Sequence, residues 1–367
     1  MGARRVQASA YSITAPSSAS ELLRLGVSRK IYSVQYMFRN IATPIGAVQI
    51  LVFFGHLLIT HSASAQPLSV DNLYDRVQEG FADSNGVKIQ YVTIGEGPLV
   101  LFIHGHPDQW FEWRNQMVTL ASSYKVVAMS QRGYNKSDKP KSIESYNIKF
   151  LTDDVAAVLH HFNRPHAIIV GHDWGAIVAW RFAERYPQMV DGLVIFNNPH
   201  PRSRARELAL NKEQQERSAY IARFTTNTED PSRPRNPSRV LAWEAGDIEE
   251  LARQKAGGTS WYERYVEAYR RSDREAMLNF YRSYYGPPPW KVDESPILKI
   301  QAPVLEFHGL DDPVYVNQSL NDTWEWLSKD LTLITLPGVG HNSPYSGPIE
   351  YIDGMLKAWL ELHRFDK

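Results

Sequence analysis

The fold is decided by one stretch of the chain, Ile168-Ile169-Val170-Gly171-His172-Asp173-Trp174-Gly175-Ala176-Ile177-Val178-Ala179-Trp180. Its first residues form a short apolar run rich in β-branched side chains, which predicts a buried strand. Two glycines then mark a turn, because glycine tolerates a strained backbone and the close approach of other chain segments. The apolar pattern that follows predicts a helix. The stretch therefore predicts a strand, a sharp turn and a helix, with Asp173 at the apex of the turn.

Similar short apolar runs recur along the chain, as expected for strands that are buried on both faces. They lie at residues 124–129, 167–170, 192–196, 304–307 and 331–334. Amphipathic stretches such as 150–162 and 176–186 separate them. This alternation predicts an α/β fold with a mostly parallel central sheet and helices on both faces.

Two regions depart from the alternation. Residues 87–91 and 99–103 flank the turn Gly95-Glu96-Gly97-Pro98 and predict an antiparallel pair of strands that opens the sheet. Residues 199–300 are poor in strand patterns and rich in Arg, Glu and aromatic side chains. We therefore predict a helical cap there, inserted between two parts of the core at 66–198 and 301–367. The arginine-rich start of the cap, Arg202 to Arg206, is expected to be a solvent-exposed face.

The composition excludes several kinds of site. The chain has 367 residues, of which 43% are hydrophobic, and these suffice for a large folded core. Its 40 basic and 40 acidic residues balance, so the charge gives no reason to expect a nucleic-acid partner. The chain has no cysteine, which excludes a thiol nucleophile, a disulfide and a thiolate metal site.

The N-terminal segment, residues 1–65, has the pattern of an export signal. Residues 45–59 form an apolar run of signal-peptide length, preceded by Arg39 and followed by a possible cleavage site after Ala65. We expect translation to start near Met37 and the mature protein, from Gln66 onward, to be secreted or periplasmic. A membrane anchor formed by residues 45–60 and an N-terminal tail with one buried helix are the alternatives.

Three polar residues follow predicted strands, at the edge of a parallel sheet where reactive groups gather. Asp173 follows the strand at 167–170, Asp312 follows the strand at 304–307, and His341 follows the strand at 331–336. A carboxylate beside a histidine can hold one ring nitrogen and stabilise the imidazolium. The order of the three residues along the chain is nucleophile, acid and histidine.

With these motifs the chain resembles the α/β-hydrolase fold, and within it the branch of epoxide hydrolases and haloalkane dehalogenases. The resemblance covers roughly residues 75–365. Esterases of this fold have a serine at the apex of the turn, whereas this branch has an aspartate. The matching motifs are, in chain order, His104-Gly105-His106-Pro107, Arg132-Gly133-Tyr134-Asn135-Lys136-Ser137, Gly171-His172-Asp173-Trp174-Gly175, Gly309-Leu310-Asp311-Asp312 and Gly338-Val339-Gly340-His341.

The resemblance implies that Asp173 attacks a substrate carbon and forms an alkyl-enzyme ester. It also implies that His341 activates the water that cleaves this ester. Asp312 is the expected partner of His341, because the family spacing Gly-x-x-Asp favours it over the adjacent Asp311. No metal or organic cofactor is expected.

The oxyanion hole of the family corresponds to the backbone N–H groups of Trp174 and His106. Most relatives have an apolar residue or Asn in place of His106, and we expect its side chain to be a satisfied polar group without a further role. His104, His172, His200 and His308 are expected to be structural.

An opening epoxide needs a donor that can also act as an acid, and the epoxide hydrolases supply two cap tyrosines. Leu278-Asn279-Phe280-Tyr281-Arg282 resembles the segment of the second tyrosine, which points to Tyr281. The segment from Ser218 to Phe224 resembles that of the first, which points to Tyr220. The resemblance thus implies a hydrolase for a small to medium apolar epoxide, with water as co-substrate and a homodimer as one possible assembly.

Two alternatives have different signatures. In a dehalogenase using the same triad, Trp174 and a cap tryptophan such as Trp243 or Trp261 would bind the halide. His106 stands where one dehalogenase class has Asn, and Trp174 stands where fluoroacetate dehalogenases have Arg; both differences favour the epoxide.

A non-catalytic binding protein of this fold would lack a triad member, and this chain has all three.

Overall fold

The computed structural model describes residues 66–226, 248–256 and 259–365. The predicted signal peptide with Met37 and Ala65 lies outside these residues, as does Trp243. Within the described part of the chain, no helix combines the length and the apolar character needed to cross a membrane.

Eight strands form one sheet in the described residues: β1 (Gln78–Ser84), β2 (Val87–Ile94), β3 (Leu99–Ile103), β4 (Lys125–Met129), β5 (Ala167–His172), β6 (Val190–Phe196), β7 (Val304–Gly309) and β8 (Leu331–Leu336). Their order is β1-β2-β4-β3-β5-β6-β7-β8. The first two pairings are antiparallel, and all pairings from β4 to β8 are parallel. Strands β3, β5 and β7 are buried at every residue, as the continuous apolar runs of β3 and β5 predict.

The predicted pairing of residues 87–91 with 99–103 is wrong. Strand β2 pairs with β1 and β4, whereas β3 lies between β4 and β5. Because β3 is apolar on both faces, it takes a central position that a pair at the edge of the sheet does not offer.

The edge strand β1 is polar and was not predicted. Its signal is Asn85-Gly86, two residues with positive φ of 52° and 85° that form the tight turn of a hairpin.

Helices surround the sheet and form the segment between β6 and β7. Those of the core are α1 (Val70–Arg76), α2 (Arg114–Leu120), α3 (Ile148–His161), α4 (Trp174–Arg185), α11 (Ser343–Ser346) and α12 (Ile349–His363). We call the others the cap helices: α5 (Pro201–Leu210), α6 (Lys212–Arg217), α7 (Ala219–Thr226), α8 (Ile248–Ala256), α9 (Thr259–Arg271) and α10 (Arg274–Tyr284).

Helix α10 is fixed to the core at its start. Asp273 caps it by accepting a hydrogen bond from the N–H of Ala276 at 3.1 Å, and the Asp273 N–H donates to the carbonyl of Gly133 at 3.0 Å. Phe280 then packs edge-on against Tyr134 and Trp174. These contacts hold Tyr281, the next residue of α10, over the carboxyl end of the sheet.

The prediction that Arg202 to Arg206 form a solvent-exposed face is wrong. Arg202 donates to the carbonyl of Asp293 at 3.1 Å, and Arg204 is only 4% exposed. Arg204 and the buried Leu208 are one helical turn apart on α5, so both face the interior. Charge composition alone did not reveal which side of α5 packs against the protein.

Candidate active site

Asp173 occupies a strained turn between β5 and α4. Its φ of 49° and ψ of −117° lie where residues other than glycine are rare. A Cβ at Gly175 would lie 2.0 Å from the carbonyl oxygen of Ile103, and a Cβ at Gly105 would lie 2.7 Å from the Cβ of Asp173. The glycines on and around the turn are therefore needed because neighbouring chain segments approach so closely.

The structure brings the three predicted triad residues together. His341 Nδ1 lies 2.8 Å from Asp312 Oδ2, and His341 Nε2 lies 3.3 Å from Asp173 Oδ2. Asp312 is 1% exposed, whereas the neighbouring Asp311 is exposed. The histidine thus bridges two carboxylates that follow different strands.

Asn197, at the end of β6, was not predicted as a site residue. Its Nδ2 donates to Asp312 Oδ2 at 2.9 Å, so this oxygen interacts with both His341 and Asn197. The other carboxylate oxygen accepts hydrogen bonds from the N–H groups of Val314 at 2.6 Å and Tyr315 at 3.2 Å. Asn197 has a positive φ of 41°. The sequence alone does not reveal this backbone conformation, so it gave no local signal for Asn197.

The charges of the triad reinforce one another. Burial would raise the pKa of Asp173, but the hydrogen bond and charge of His341 outweigh it and hold this pKa well below its usual range. Burial would lower the pKa of His341, yet Asp312 and Asp173 together raise it to about 9. At neutral pH the free protein therefore holds Asp173 as a carboxylate and His341 as an imidazolium.

One of the two expected oxyanion donors contacts Asp173 in the structure. The N–H of His106 donates to Asp173 Oδ1 at 2.7 Å. Trp174 is the first residue of α4, so its N–H has no acceptor within the helix. His106 Nδ1 lies 2.8 Å from the Tyr134 hydroxyl, and burial lowers the pKa of His106 to about 3. Its side chain is thus a neutral ring with a polar partner at Nδ1.

Both candidate tyrosines lie in the aromatic layer above Asp173. The ring of Tyr281 is centred 4.9 Å from Trp174 and 5.3 Å from His106, and Tyr220 is 6.0 Å from Tyr281. Burial raises the pKa of Tyr281 well above its usual value and that of Tyr220 to about 12. Both hydroxyls are therefore protonated donors at neutral pH. Trp261 packs instead against Phe111, with ring centres 5.6 Å apart.

Comparison with known proteins identifies the family of this chain. Residues 98–348 match the family described as the α/β hydrolase fold. The chain belongs to this family. Epoxide hydrolase 1 of Caenorhabditis elegans is 32% identical over 293 residues, which are 76% of this chain and 69% of the relative. Epoxide hydrolase 3 of Mus musculus is 32% identical over 279 residues, which are 73% of this chain and 72% of the relative.

Solved structures lead to the same fold. A crystal structure of Bacillus megaterium epoxide hydrolase in complex with an inhibitor has a TM-score of 0.67 and 29% sequence identity. The match covers 77% of this chain and all of that one. The predicted fold class and the predicted resemblance to epoxide hydrolases are thus confirmed.

The other histidines of this α/β hydrolase have structural contacts. His104 Nε2 accepts a hydrogen bond from the N–H of Gln131 at 3.1 Å, and the buried His200 stacks on Trp326 at 4.7 Å. His308 contacts Asn317. No group of three potential metal ligands occurs among residues 66–226, 248–256 and 259–365.

The sequence analysis missed Glu112, a buried residue that connects loops of the site through hydrogen bonds. Glu112 accepts a hydrogen bond from the N–H of Gly105 at 3.0 Å, and its other oxygen lies 3.2 Å from His172 Nδ1. The Nε2 of His172 lies 2.9 Å from the carbonyl oxygen of His341. This chain of contacts joins the oxyanion loop, the nucleophile turn and the histidine loop.

The Asp312 contact can be tested through the protonation of His341. We expect Asp312→Asn to lower the pKa of His341 from about 9 by about one to three pH units, because a neighbouring negative charge is lost. Titration of the histidine ring signals by NMR measures this pKa. Asp311→Asn is the matched control and should leave it unchanged.

The same variant should change how stability depends on pH. Since the folded-state pKa of about 9 exceeds the ordinary 6.5, this histidine stabilises the fold fully below pH 6.5 and loses that effect as pH rises through 9. In Asp312→Asn the loss of stability between these values should be shallower. An unchanged His341 pKa in this variant would contradict the assigned contact.

Proposed function

We propose that this protein is a hydrolase that opens an epoxide to a vicinal diol through a covalent ester on Asp173. One observation carries the proposal: an ionised carboxylate, His341 with its Asp312 partner, and two protonated tyrosines converge on one buried site. The epoxide hydrolases among its relatives support the same reaction. No metal or organic cofactor is needed for these steps.

In the first step Asp173 forms the ester. The His106 N–H holds Oδ1, so Oδ2 is the oxygen that bonds to an epoxide carbon while the carbon–oxygen bond of the ring breaks. The ring oxygen becomes an alkoxide and takes a proton from Tyr281, with Tyr220 as the second donor. The buried phenols suit this role because they stay protonated until the alkoxide, a stronger base, develops beside them.

Formation of the ester then turns His341 into a base. Esterified Asp173 carries no charge, so one of the two carboxylates that raise the pKa of His341 is removed, and this pKa falls. The proton that His341 releases restores the tyrosine. Neutral His341 can next take a proton from water as the water oxygen attacks the ester carbonyl.

The second step closes the cycle. The carbonyl oxygen, Oδ1, becomes negative in the tetrahedral intermediate, and the His106 N–H is already directed at it. As this intermediate collapses, the bond between the carbonyl carbon and the diol oxygen breaks, and the diol oxygen takes the proton of the hydroxyl group that water added. The diol leaves, and Asp173 and protonated His341 are regenerated.

The triad roles can be separated by two substitutions. We expect Asp173→Asn to abolish turnover without unfolding the protein, because an amide is a poor nucleophile at carbon. His341→Gln should still form the ester but not hydrolyse it. Intact-mass spectrometry after addition of styrene oxide should show the adduct on His341→Gln and none on Asp173→Asn. Normal steady-state turnover by either variant would remove that residue from the mechanism.

The tyrosines distinguish an epoxide hydrolase from a dehalogenase. The purified chain from Gln66 onward should release diol from styrene oxide and no halide from bromobutane. Tyr281→Phe should slow ester formation about 100-fold or more, as loss of a general acid does. Tyr262→Phe, on α9, is the control, and its rate of ester formation should equal that of the wild type. Halide release without diol would instead assign a dehalogenase in which Trp174 binds the leaving ion.

For the segment before Gln66 we propose cleavage of a signal peptide and export as a secreted or periplasmic protein. The support is the apolar run at 45–59 followed by the possible cleavage site after Ala65. N-terminal sequencing of the exported protein should begin at Gln66. Recovery of a membrane-bound chain that retains residues 45–60 would favour the anchor instead.

A further inference from the structure

Among the residues that the structure describes, the buried Arg204 has no acidic partner. Its guanidinium lies 4.8 Å from the ring centre of Tyr285 and 5.0 Å from that of Tyr315. None of the ion pairs in the described part of the chain includes Arg204, and none of the groups described there accepts a hydrogen bond from its Nε. A buried charge without a counter-charge is costly, so natural proteins normally pair it.

Arg204 lines a cavity with a volume of about 280 Å³ between α4, α5 and the end of α10. The hydroxyl of Tyr285, in the same wall, is also buried and lacks a hydrogen-bond partner among the residues described. Leu208 and Trp290 add apolar surface, and Lys291 adds a second positive charge. Two residues that each have an unsatisfied donor, one of them cationic, thus line one cavity.

We propose that this cavity binds a carboxylate group, with Arg204 and Tyr285 as its ligands. The planar guanidinium offers parallel N–H groups that match the two oxygens of a carboxylate. The cavity suits a single negative charge, because its third cation, Arg181, is already paired with Glu184 at 2.8 Å and has Asp293 at 3.8 Å. A doubly charged phosphate would meet these acidic groups.

The position of the cavity indicates where the carboxylate comes from. Tyr285 is 5.9 Å from Trp174 between ring centres, and Tyr315 is 5.6 Å from His341. Arg204 is therefore separated from Trp174 and His341 by one layer of aromatic rings. The preferred substrate is then an epoxide with a carboxylate at its far end. This part of the inference rests on the proposed function, whereas the anion site itself does not.

Binding can be measured without any reaction. In isothermal titration calorimetry we expect phenylacetate to bind the wild-type protein and the neutral phenylacetamide not to bind. Arg204→Gln should weaken phenylacetate binding about tenfold or more, the effect of losing a bidentate charged contact. Arg206→Gln is the matched control from the same helix, since Arg206 is paired with Asp322 at 2.7 Å and does not line the cavity.

Kinetics then identify the source of the carboxylate. We expect terminal epoxides of alkanoic acids, in a series of increasing chain length, to be turned over with higher kcat/KM than their amides above a threshold length. Arg204→Gln should abolish this preference mainly by raising the KM for the acids. The ratio of acid to amide is the readout, because Arg204 also interacts with the Tyr220 hydroxyl and its loss can change both rates.

The possible results separate cleanly. Arg204-dependent phenylacetate binding without any preference for epoxy acids would support the anion site and assign its carboxylate to a separate molecule. The same binding in a protein that releases no diol from any epoxide would keep the site while the proposed function fails. Equal phenylacetate binding by wild type and Arg204→Gln, or no binding by the wild type, would overturn the inference.

Discussion

The site depends on keeping one carboxylate ionised inside the protein. Asp173 is 5% exposed, and burial of an unpaired charge costs several kcal/mol in real proteins. The His106 N–H and the protonated His341 offset this cost from opposite sides of the carboxylate. Each belongs to a loop after a different strand, so the sheet must bring the ends of β3, β5 and β8 together. The strained backbone of Asp173 and the glycines around it follow from that convergence, because no larger residue fits where the three segments meet.

The same electrostatics set the order of the proposed steps. While Asp173 is charged, His341 holds its proton and cannot act as a base. Because esterified Asp173 carries no charge, the pKa of His341 falls once the ester has formed, and the histidine can then release that proton. Asp312 maintains a negative charge through both stages, because Asn197 and two backbone N–H groups hold its carboxylate.

Most of this arrangement could be predicted because the decisive signals are local. Glycines around a turn, buried apolar runs and polar residues just after strands each have a direct physical meaning, and they located Asp173 and His341. The choice of Asp312 over the adjacent Asp311 needed the family spacing as well. Features that depend on packing could not be read in this way. The position of β3 is set by which strands surround it, and Glu112 acquires its role only when the loop after β3 meets β5. Tyr281 and Tyr220 were found through a family resemblance, since nothing in their spacing shows which face of a helix is turned towards Asp173.

The core and the cap contribute different residues to the proposed site. Asp173, Asp312 and His341 are carried by loops of the core, whereas Tyr281, Tyr220 and Arg204 are carried by cap helices, and an aromatic layer separates Arg204 from the side of the site that holds Asp173. A charge placed behind such a layer can select the distant end of a substrate and yet leave Asp173 in an unchanged environment. Arg204 is also buried at a position where an apolar side chain would usually be more favourable for stability. Its burial in the wall of a cavity is more easily explained by a bound anion than by packing, because tyrosine rings compensate only part of the lost hydration of a guanidinium.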